Sequence, residues 1–84
     1  MARIIDSENK NIIGNNVRKY RNMRNMTQAD LSAKLELLAI YICRGSISRI
    51  EDMSRTVTDI ELYGLSKVLD VPVDALFDAE LIDN

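Results

Sequence analysis

The residue types that carry catalysis or bind metals are almost absent from this chain. It contains no His and a single Cys, so the sequence offers neither a nucleophile with its base nor a set of metal ligands. Glu51 and Asp52 are adjacent, but on a helix their side chains would point about 100° apart. No glycine-rich phosphate loop is present. The sequence therefore predicts a non-enzymatic protein without a metal or cofactor.

Arginine and small polar residues near the middle of the chain offer a different chemistry, which is hydrogen bonding to nucleic acid. Arg44 would open a short helix, from which it can donate two hydrogen bonds to guanine O6 and N7 or contact a phosphate. Gly45 would permit close approach to DNA or end the preceding loop. Ser46 would cap the helix or bond a phosphate. The residues alone leave these alternatives open.

Two short amphipathic helices must position these side chains. Thr27 and Asp30 form a capping box that begins one helix, whose apolar stripe is Leu31, Leu35 and Leu38. The other helix is predicted over about 44–52, with Ile47 and Ile50 facing inward. Residues 39–43 are rich in β-branched and aromatic side chains, which favours an extended connection. This order is typical of a helix-turn-helix DNA reader.

Three further helices complete an all-α, five-helix bundle. Apolar residues repeat every three or four positions between Lys10 and Arg24, and Asn25 is suited to a left-handed helix end. The apolar residues of this repeat are Ile13, Val17, Tyr20 and Met23. A second capping box begins at Thr58, and Pro72 breaks that helix before a last one over about 73–77. The expected buried positions of these two helices are Ile60, Leu62, Leu65, Val68, Leu69, Val73, Leu76 and Phe77.

The chain organisation follows from these elements. We expect an N-terminal arm over residues 1–9, one domain over residues 10–78 and a C-terminal tail over residues 79–84. No apolar stretch reaches the roughly 20 residues of a membrane span, and no signal peptide is evident. One Cys forms no disulfide framework within the chain, which suits a reducing compartment. The expected location is therefore the cytoplasm, without a membrane partner.

Charge is distributed very unevenly along the chain. The formal net charge is −2, but residues 1–49 carry +5 and residues 50–84 carry −7. Such asymmetry indicates one surface suited to polyanions and another kept away from them. Ordinary solvated helix surface is the alternative explanation.

Four segments, in order, carry a resemblance to a known family over residues 11–77. They are Ile13–Arg21, Met26–Leu31, Ile47–Glu51 and Leu65–Phe77. Together they resemble the phage repressor and Cro-type (XRE) helix-turn-helix family, whose domains are lambda-repressor-like. The resemblance implies a five-helix bundle in which helices two and three form the DNA-reading unit.

The family pattern also implies roles for individual residues. It places Ser48 and Arg49 against bases or phosphates, although an ion pair between Arg49 and Asp52 is the alternative for the arginine. Gln28 would contact a phosphate and support the reading helix, or it would be solvated. Arg55 would anchor a phosphate without regard to sequence. Arg21 and Glu51 would form a partly buried ion pair that joins two helices.

This sequence departs from the family pattern at three places. Eleven residues, from Glu36 to Ser46, separate Leu35 from Ile47, which is a longer connection than usual. Cys43 stands where a stronger cap such as Ser, Thr or Asp is normal. Met53 stands where the family usually has a Gly, so a left-handed conformation there would be unfavourable.

The sequence thus predicts a sequence-specific DNA-binding transcriptional regulator, a repressor of prokaryotic or phage type. We expect it to bind double-stranded DNA as a homodimer, because symmetry doubles the contacts of one small module. The alternative is an antitoxin-like or accessory protein-interaction module whose main partner is another protein.

Overall fold

Five α-helices form the regular structure of the computed structural model, which describes residues 8–78. In chain order they are α1 (Gly14–Met23), α2 (Gln28–Glu36), α3 (Arg44–Glu51), α4 (Asp59–Leu69) and α5 (Val73–Leu76). The described residues include no strand. The predicted all-α fold and the order of its helices are confirmed, and no helix among residues 8–78 is long and apolar enough to cross a membrane.

The capping boxes predicted for α2 and α4 are both present. The Thr27 hydroxyl accepts from the Asp30 amide at 3.0 Å, and the Asp30 carboxylate accepts from the Thr27 amide at 2.9 Å. Thr58 and Glu61 repeat this exchange at the start of α4, at 3.1 and 3.0 Å. Each box satisfies two backbone amides that helix geometry leaves without partners.

Helix α1 begins at Gly14, later than the predicted start at Lys10. The reason is Asn11, whose side-chain oxygen accepts from the amides of Ile13 and Gly14 at 3.0 and 2.9 Å. An Asn in that role lies outside the helix and satisfies amides at its start. Residues 10–13 are therefore a connection that leads into α1.

Left-handed backbone conformations mark several helix ends. Asn25 follows α1 with φ 58°, as predicted, and Asp70 ends α4 with the same φ. Met53 has φ 65° after α3, a left-handed conformation that a residue with a side chain disfavours. Ala39 has φ 62° in the connection between α2 and α3.

The core lies where α1, α2, α3 and α4 meet. Its fully buried members are Val17, Leu31, Leu35, Ile47, Ile50, Leu65, Leu69 and Leu76. Two glycines permit close helix contacts. A Cβ on Gly14 would lie 2.2 Å from the Ile50 carbonyl oxygen, and a Cβ on Gly64 would lie 2.5 Å from Ile40 Cδ1.

Several positions predicted to be buried are exposed instead. They are Met23, Leu38, Ile60, Val73 and Phe77. Helix α2 ends at Glu36, so Leu38 does not continue its apolar stripe. The other four lie in the first or last turn of a helix or just beyond it, where neighbouring helices no longer cover them. The predicted tail over residues 79–84 lies outside the described residues, and so does the predicted arm apart from its last two residues.

Candidate nucleic-acid interface

Helix α3 has one buried face and one exposed face. Ile47 and Ile50 are fully buried against the core, whereas Arg44, Gly45 and Arg49 are exposed. The helix packs against α1 and α2, as in the predicted reading unit. The exposed residues run from Arg44 at the start of α3 to Arg49 in its last turn, so a ligand can reach this face along most of the helix.

A buried carboxylate holds the C-terminal end of α3. Glu51 is fully buried, and its two oxygens accept from Arg21 Nε at 2.6 Å and Arg21 Nη2 at 3.0 Å. Gln28 Nε2 donates to the same carboxylate at 3.1 Å, and Arg18 Nε does so at 3.4 Å. The carboxylate thereby joins α1, α2 and α3, and the structural ion pair implied by the family resemblance is formed.

The charge of this carboxylate is retained despite its burial. Burial raises the pKa of Glu51, but hydrogen bonds from Arg21 and Gln28 outweigh that effect and hold the pKa below its ordinary value. The pKa of Arg21 is raised by the same contact with Glu51. Removing either Arg21 or Glu51 would leave the other charge buried without its opposite partner.

Backbone contacts reinforce the same end of α3. Asn11 Nδ2 donates to the carbonyls of Ile50 and Arg55 at 3.1 and 2.8 Å, and the Lys10 amide donates to the Met53 carbonyl at 2.8 Å. Gly14 lies directly against the Ile50 carbonyl. The sequence analysis missed Asn11 and Gly14, because their roles depend on distant residues rather than on local spacing.

Within residues 8–78, the N-terminal end of α3 has no side-chain cap and no buried ion pair like the one at its other end. Cys43 precedes the helix in an extended conformation and makes no side-chain capping hydrogen bond, as its weak capping ability predicted. Ser46 is the third residue of α3, so it does not cap the helix start. Its hydroxyl instead accepts from Arg49 Nη2 at 3.1 Å and lies 3.5 Å from Cys43 Sγ. The Ser46 hydrogen bonds lower the pKa of the Cys43 thiol.

Arg44 and Gln28 lie at the junction of α2 and α3. The Arg44 side chain lines a surface groove together with the start of α2 at Thr27, Gln28 and Ala29. Gln28 is half-buried and bonded to Glu51, so the family's supporting role for this residue fits its geometry and full solvation does not. Ser48 is half-buried, and it lies at the boundary between the exposed face of α3, which carries Arg44 and Arg49, and the buried face.

The alternative ion pair for Arg49 is not formed. Asp52 instead accepts from the hydroxyl and amide of Ser54 at 2.6 and 3.1 Å. The Ser54 hydroxyl lowers the pKa of Asp52. The Arg49 guanidinium is exposed and donates to the neutral Ser46 hydroxyl, and its charge contributes to the lowered pKa of Asp52 without a direct ion pair.

Arg55, the expected phosphate anchor, is already paired. Its Nη1 and Nη2 donate to the two oxygens of Glu61 at 2.9 and 2.8 Å, which holds the pKa of Glu61 below its ordinary value. A phosphate would have to share this guanidinium with a carboxylate. Arg55 is thus a weaker candidate for DNA contact than Arg44 or Arg49.

Two other arginines gain roles that the sequence analysis did not assign. Arg18 lies one turn before Arg21 and shares its contact with Glu51 while remaining half exposed. Arg24 Nε donates to the Leu69 carbonyl at 2.9 Å, so it caps the end of α4. Spacing on one helix face would have indicated the first role, but nothing local indicates the second. No group of His, Cys, Asp or Glu side chains within residues 8–78 could hold a metal ion.

Comparisons with known proteins agree with this geometry. The profile of a helix-turn-helix family matches residues 17–76. No curated protein matches the chain. Among solved structures, the chain is similar to SinR, described as the master regulator for biofilm formation and crystallised in complex with DNA. The identity is 28%, the TM-score is 0.68, and the similarity covers 79% of this chain and 98% of that one.

Proposed function

This chain belongs to the XRE-type helix-turn-helix family of DNA-binding transcriptional regulators, and we propose that it is a sequence-specific repressor that reads the major groove with α3. The observation that carries the proposal is the asymmetry of α3. Its C-terminal end is fixed by buried Glu51, while Arg44 and Arg49 stay exposed and form no salt bridge among residues 8–78, although the charge of Arg49 helps to lower the pKa of Asp52. A fixed helix with exposed arginines is what base recognition needs.

The proposed contacts divide into two kinds. Arg44, Gly45, Ser48 and Arg49 would face base edges or adjacent phosphates, because they occupy the exposed side of α3. Gln28 and Ser46 would contribute at the rim of this surface. Arg55 would contribute only if a phosphate shares it with Glu61. Similarity to SinR, which was crystallised in complex with DNA, supports DNA binding by this chain.

We further propose that the protein acts as a homodimer on a two-fold operator in the cytoplasm. One module of this size has few base contacts, and pairing two modules on symmetric half-sites multiplies specificity. Sedimentation analysis with and without operator DNA tests this proposal. A complex that contains a single protomer on a single half-site would contradict it.

The first experiment measures DNA binding at several salt concentrations. The DNA upstream of the protein's own gene is compared with a scrambled duplex, using the wild type and the variants Arg44→Ala, Arg49→Ala and their combination. Lys67→Ala is the matched control, because Lys67 is an exposed cation on α4. We expect preference for the native DNA, a steep salt dependence and a loss of binding that is largest in the double variant.

The contradicting outcome is equally clear. Equal weak binding to both duplexes, unchanged in the double variant, would remove the DNA-reading assignment. A reporter gene behind the bound sequence then separates repression from activation, since a repressor lowers expression and the double variant restores it.

A second candidate function is that of an antitoxin-like or accessory protein-interaction module. The observation in its favour is a pair of exposed apolar side chains on α4, Ile60 and Tyr63, which are 66% and 57% exposed. Tight binding of a protein partner together with weak, non-selective DNA binding would favour this function. Ile60→Ser would then weaken partner binding and leave DNA binding unchanged.

A further inference from the structure

The connection between α2 and α3 carries the two most exposed large apolar side chains of the described residues. Leu37 is 86% exposed and Tyr41 is 76% exposed. Both belong to residues 37–43, which connect α2 to α3. On a loop without contacts to the bundle, such side chains would have no defined position. Whether residues 37–43 are anchored therefore decides whether Leu37 and Tyr41 can form a defined binding surface.

The connection is held firmly against the bundle. Ser32 Oγ donates to the Ile42 carbonyl at 2.6 Å, and the Ile40 amide donates to the Leu35 carbonyl at 3.1 Å. The Ile42 side chain is buried, and Ile40 packs over Gly64 of α4. The exposed residue between them, Tyr41, is therefore presented in a fixed position.

Side chains alternate along this extended segment. Ile40 and Ile42 face the core, while Tyr41 and Cys43 face solvent. Cys43 is the residue that leads into α3, and Tyr41 lines one shallow groove with Cys43 and Ser46. Tyr41 is thus continuous with the N-terminal end of the helix that we propose reads DNA.

We infer that Tyr41 is an additional DNA-contacting residue, which extends the interface beyond the base pairs met by α3. This inference rests on the proposed function. The ring would pack against the sugar–phosphate backbone at the outer edge of the half-site, and the hydroxyl would donate to a phosphate oxygen. Glu36 lines the same groove on the α2 side, and its carboxylate repels phosphate there, which leaves the Tyr41 side for the contact.

The test is a binding series on the operator, once footprinting has mapped it. Wild type, Tyr41→Ala and Tyr41→Phe are titrated with duplexes that are shortened one base pair at a time from the outer end. Tyr63→Ala is the matched control, because Tyr63 is an exposed tyrosine on α4. Arg44→Ala reports separately on the proposed reading helix, and thermal unfolding of each variant verifies that its fold is intact.

We expect Tyr41→Ala to weaken binding to the full duplex roughly fivefold to tenfold, and Tyr41→Phe to lose part of that. Removing the outer base pairs should weaken binding by the wild type by the same factor, and it should leave binding by Tyr41→Ala unchanged. The salt dependence should stay unchanged in Tyr41→Ala, since no cation is lost, but should fall in Arg44→Ala. Tyr63→Ala should behave as the wild type.

Two results would overturn the inference, and they are distinguishable. If Arg44→Ala weakens binding while Tyr41→Ala matches the wild type on every duplex, DNA reading by α3 stands and Tyr41 belongs to a surface for another partner. If Arg44→Ala, Arg49→Ala and Tyr41→Ala all bind as the wild type does, the proposed function itself fails and the role of Tyr41 fails with it.

Discussion

The two ends of α3 differ in how firmly the rest of the molecule holds them. At the C-terminal end, buried Glu51 receives four hydrogen bonds from Arg18, Arg21 and Gln28. At the N-terminal end, Cys43 provides no capping hydrogen bond and Arg44 is exposed. The contrast teaches that the side-chain contacts that fix α3 can be concentrated at one end of a short helix, which leaves Arg44 at the other end available for the contacts that we propose.

The largest expected effect comes from removing the carboxylate that fixes the C-terminal end. Glu51→Ala leaves Arg21 partly buried without its partner, so we expect a loss of about 3–5 kcal/mol in the free energy of unfolding. Urea denaturation followed by far-ultraviolet circular dichroism measures this loss, and it suits a chain without Trp. Glu36→Ala, at an exposed carboxylate in α2, is the control and should leave stability unchanged.

A second variant keeps this prediction testable if Glu51→Ala does not fold. Glu51→Gln keeps one oxygen that accepts from Arg21, but it loses the charge and replaces the other acceptor oxygen with an NH2 donor. Its stability should therefore fall between those of the wild type and Glu51→Ala. Equal stability of all three proteins would show that the contact does not fix α3.

A smaller loss of stability is expected from adding one methyl group beside the C-terminal end of α3. Gly14→Ala places a Cβ 2.2 Å from the Ile50 carbonyl oxygen, so α1 and α3 must move apart. We expect a loss of about 1–3 kcal/mol in the free energy of unfolding.

Gly45→Ala is the matched control for Gly14→Ala at the open end of α3. Its Cβ would meet nothing closer than Arg49 Nη1 at 3.9 Å, so stability should be unchanged or raised by about 0.5–1 kcal/mol. Thermal unfolding of both variants measures whether only Gly14→Ala destabilises the protein. Similar destabilisation by both substitutions would mean that the two ends are equally constrained.

Sequence reasoning succeeded where a local signal decides the structure. The capping boxes at Thr27 and Thr58 and the left-handed Asn25 were predictable, because each depends on residues within one turn of a helix. The ion pair of Arg21 and Glu51 was predictable only through the family resemblance. Its 30-residue separation along the chain gives no local sign of contact.

The errors arose where distant parts of the chain decide the structure. Asn11 accepts from the amides at the start of α1 and also donates to the Ile50 carbonyl, which lies 39 residues away along the chain. Exposed Met23 and Ile60 fit an apolar repeat but lie beyond the reach of neighbouring helices. A periodic pattern gives the face of a helix, whereas burial also requires another element opposite that face.

The smallest expected effect concerns the pH dependence of the second Arg–Glu pair. In this pair Arg55, in the loop after α3, contacts Glu61 of α4. Arg55 lowers the pKa of Glu61 below its ordinary value of 4.5 in the folded state. The stabilisation from this pair is therefore fully present above that value and is lost as pH falls through the folded pKa. Because the pair is near the surface, we expect Glu61→Gln to cost no more than about 1 kcal/mol at pH 7.

The pH profile separates this pair from the buried one. Glu51 also has a lowered pKa, so the free energy of unfolding of the wild type should decrease as pH falls below about 4.5. Glu61→Gln should be less stable at pH 7 and should lose less on acidification, so the two curves converge at low pH. Curves that stay parallel from pH 7 to pH 3 would mean that Glu61 gains no stabilisation from its charge. The contacts of buried Glu51 would then account for the electrostatic stabilisation of α3 without help from α4.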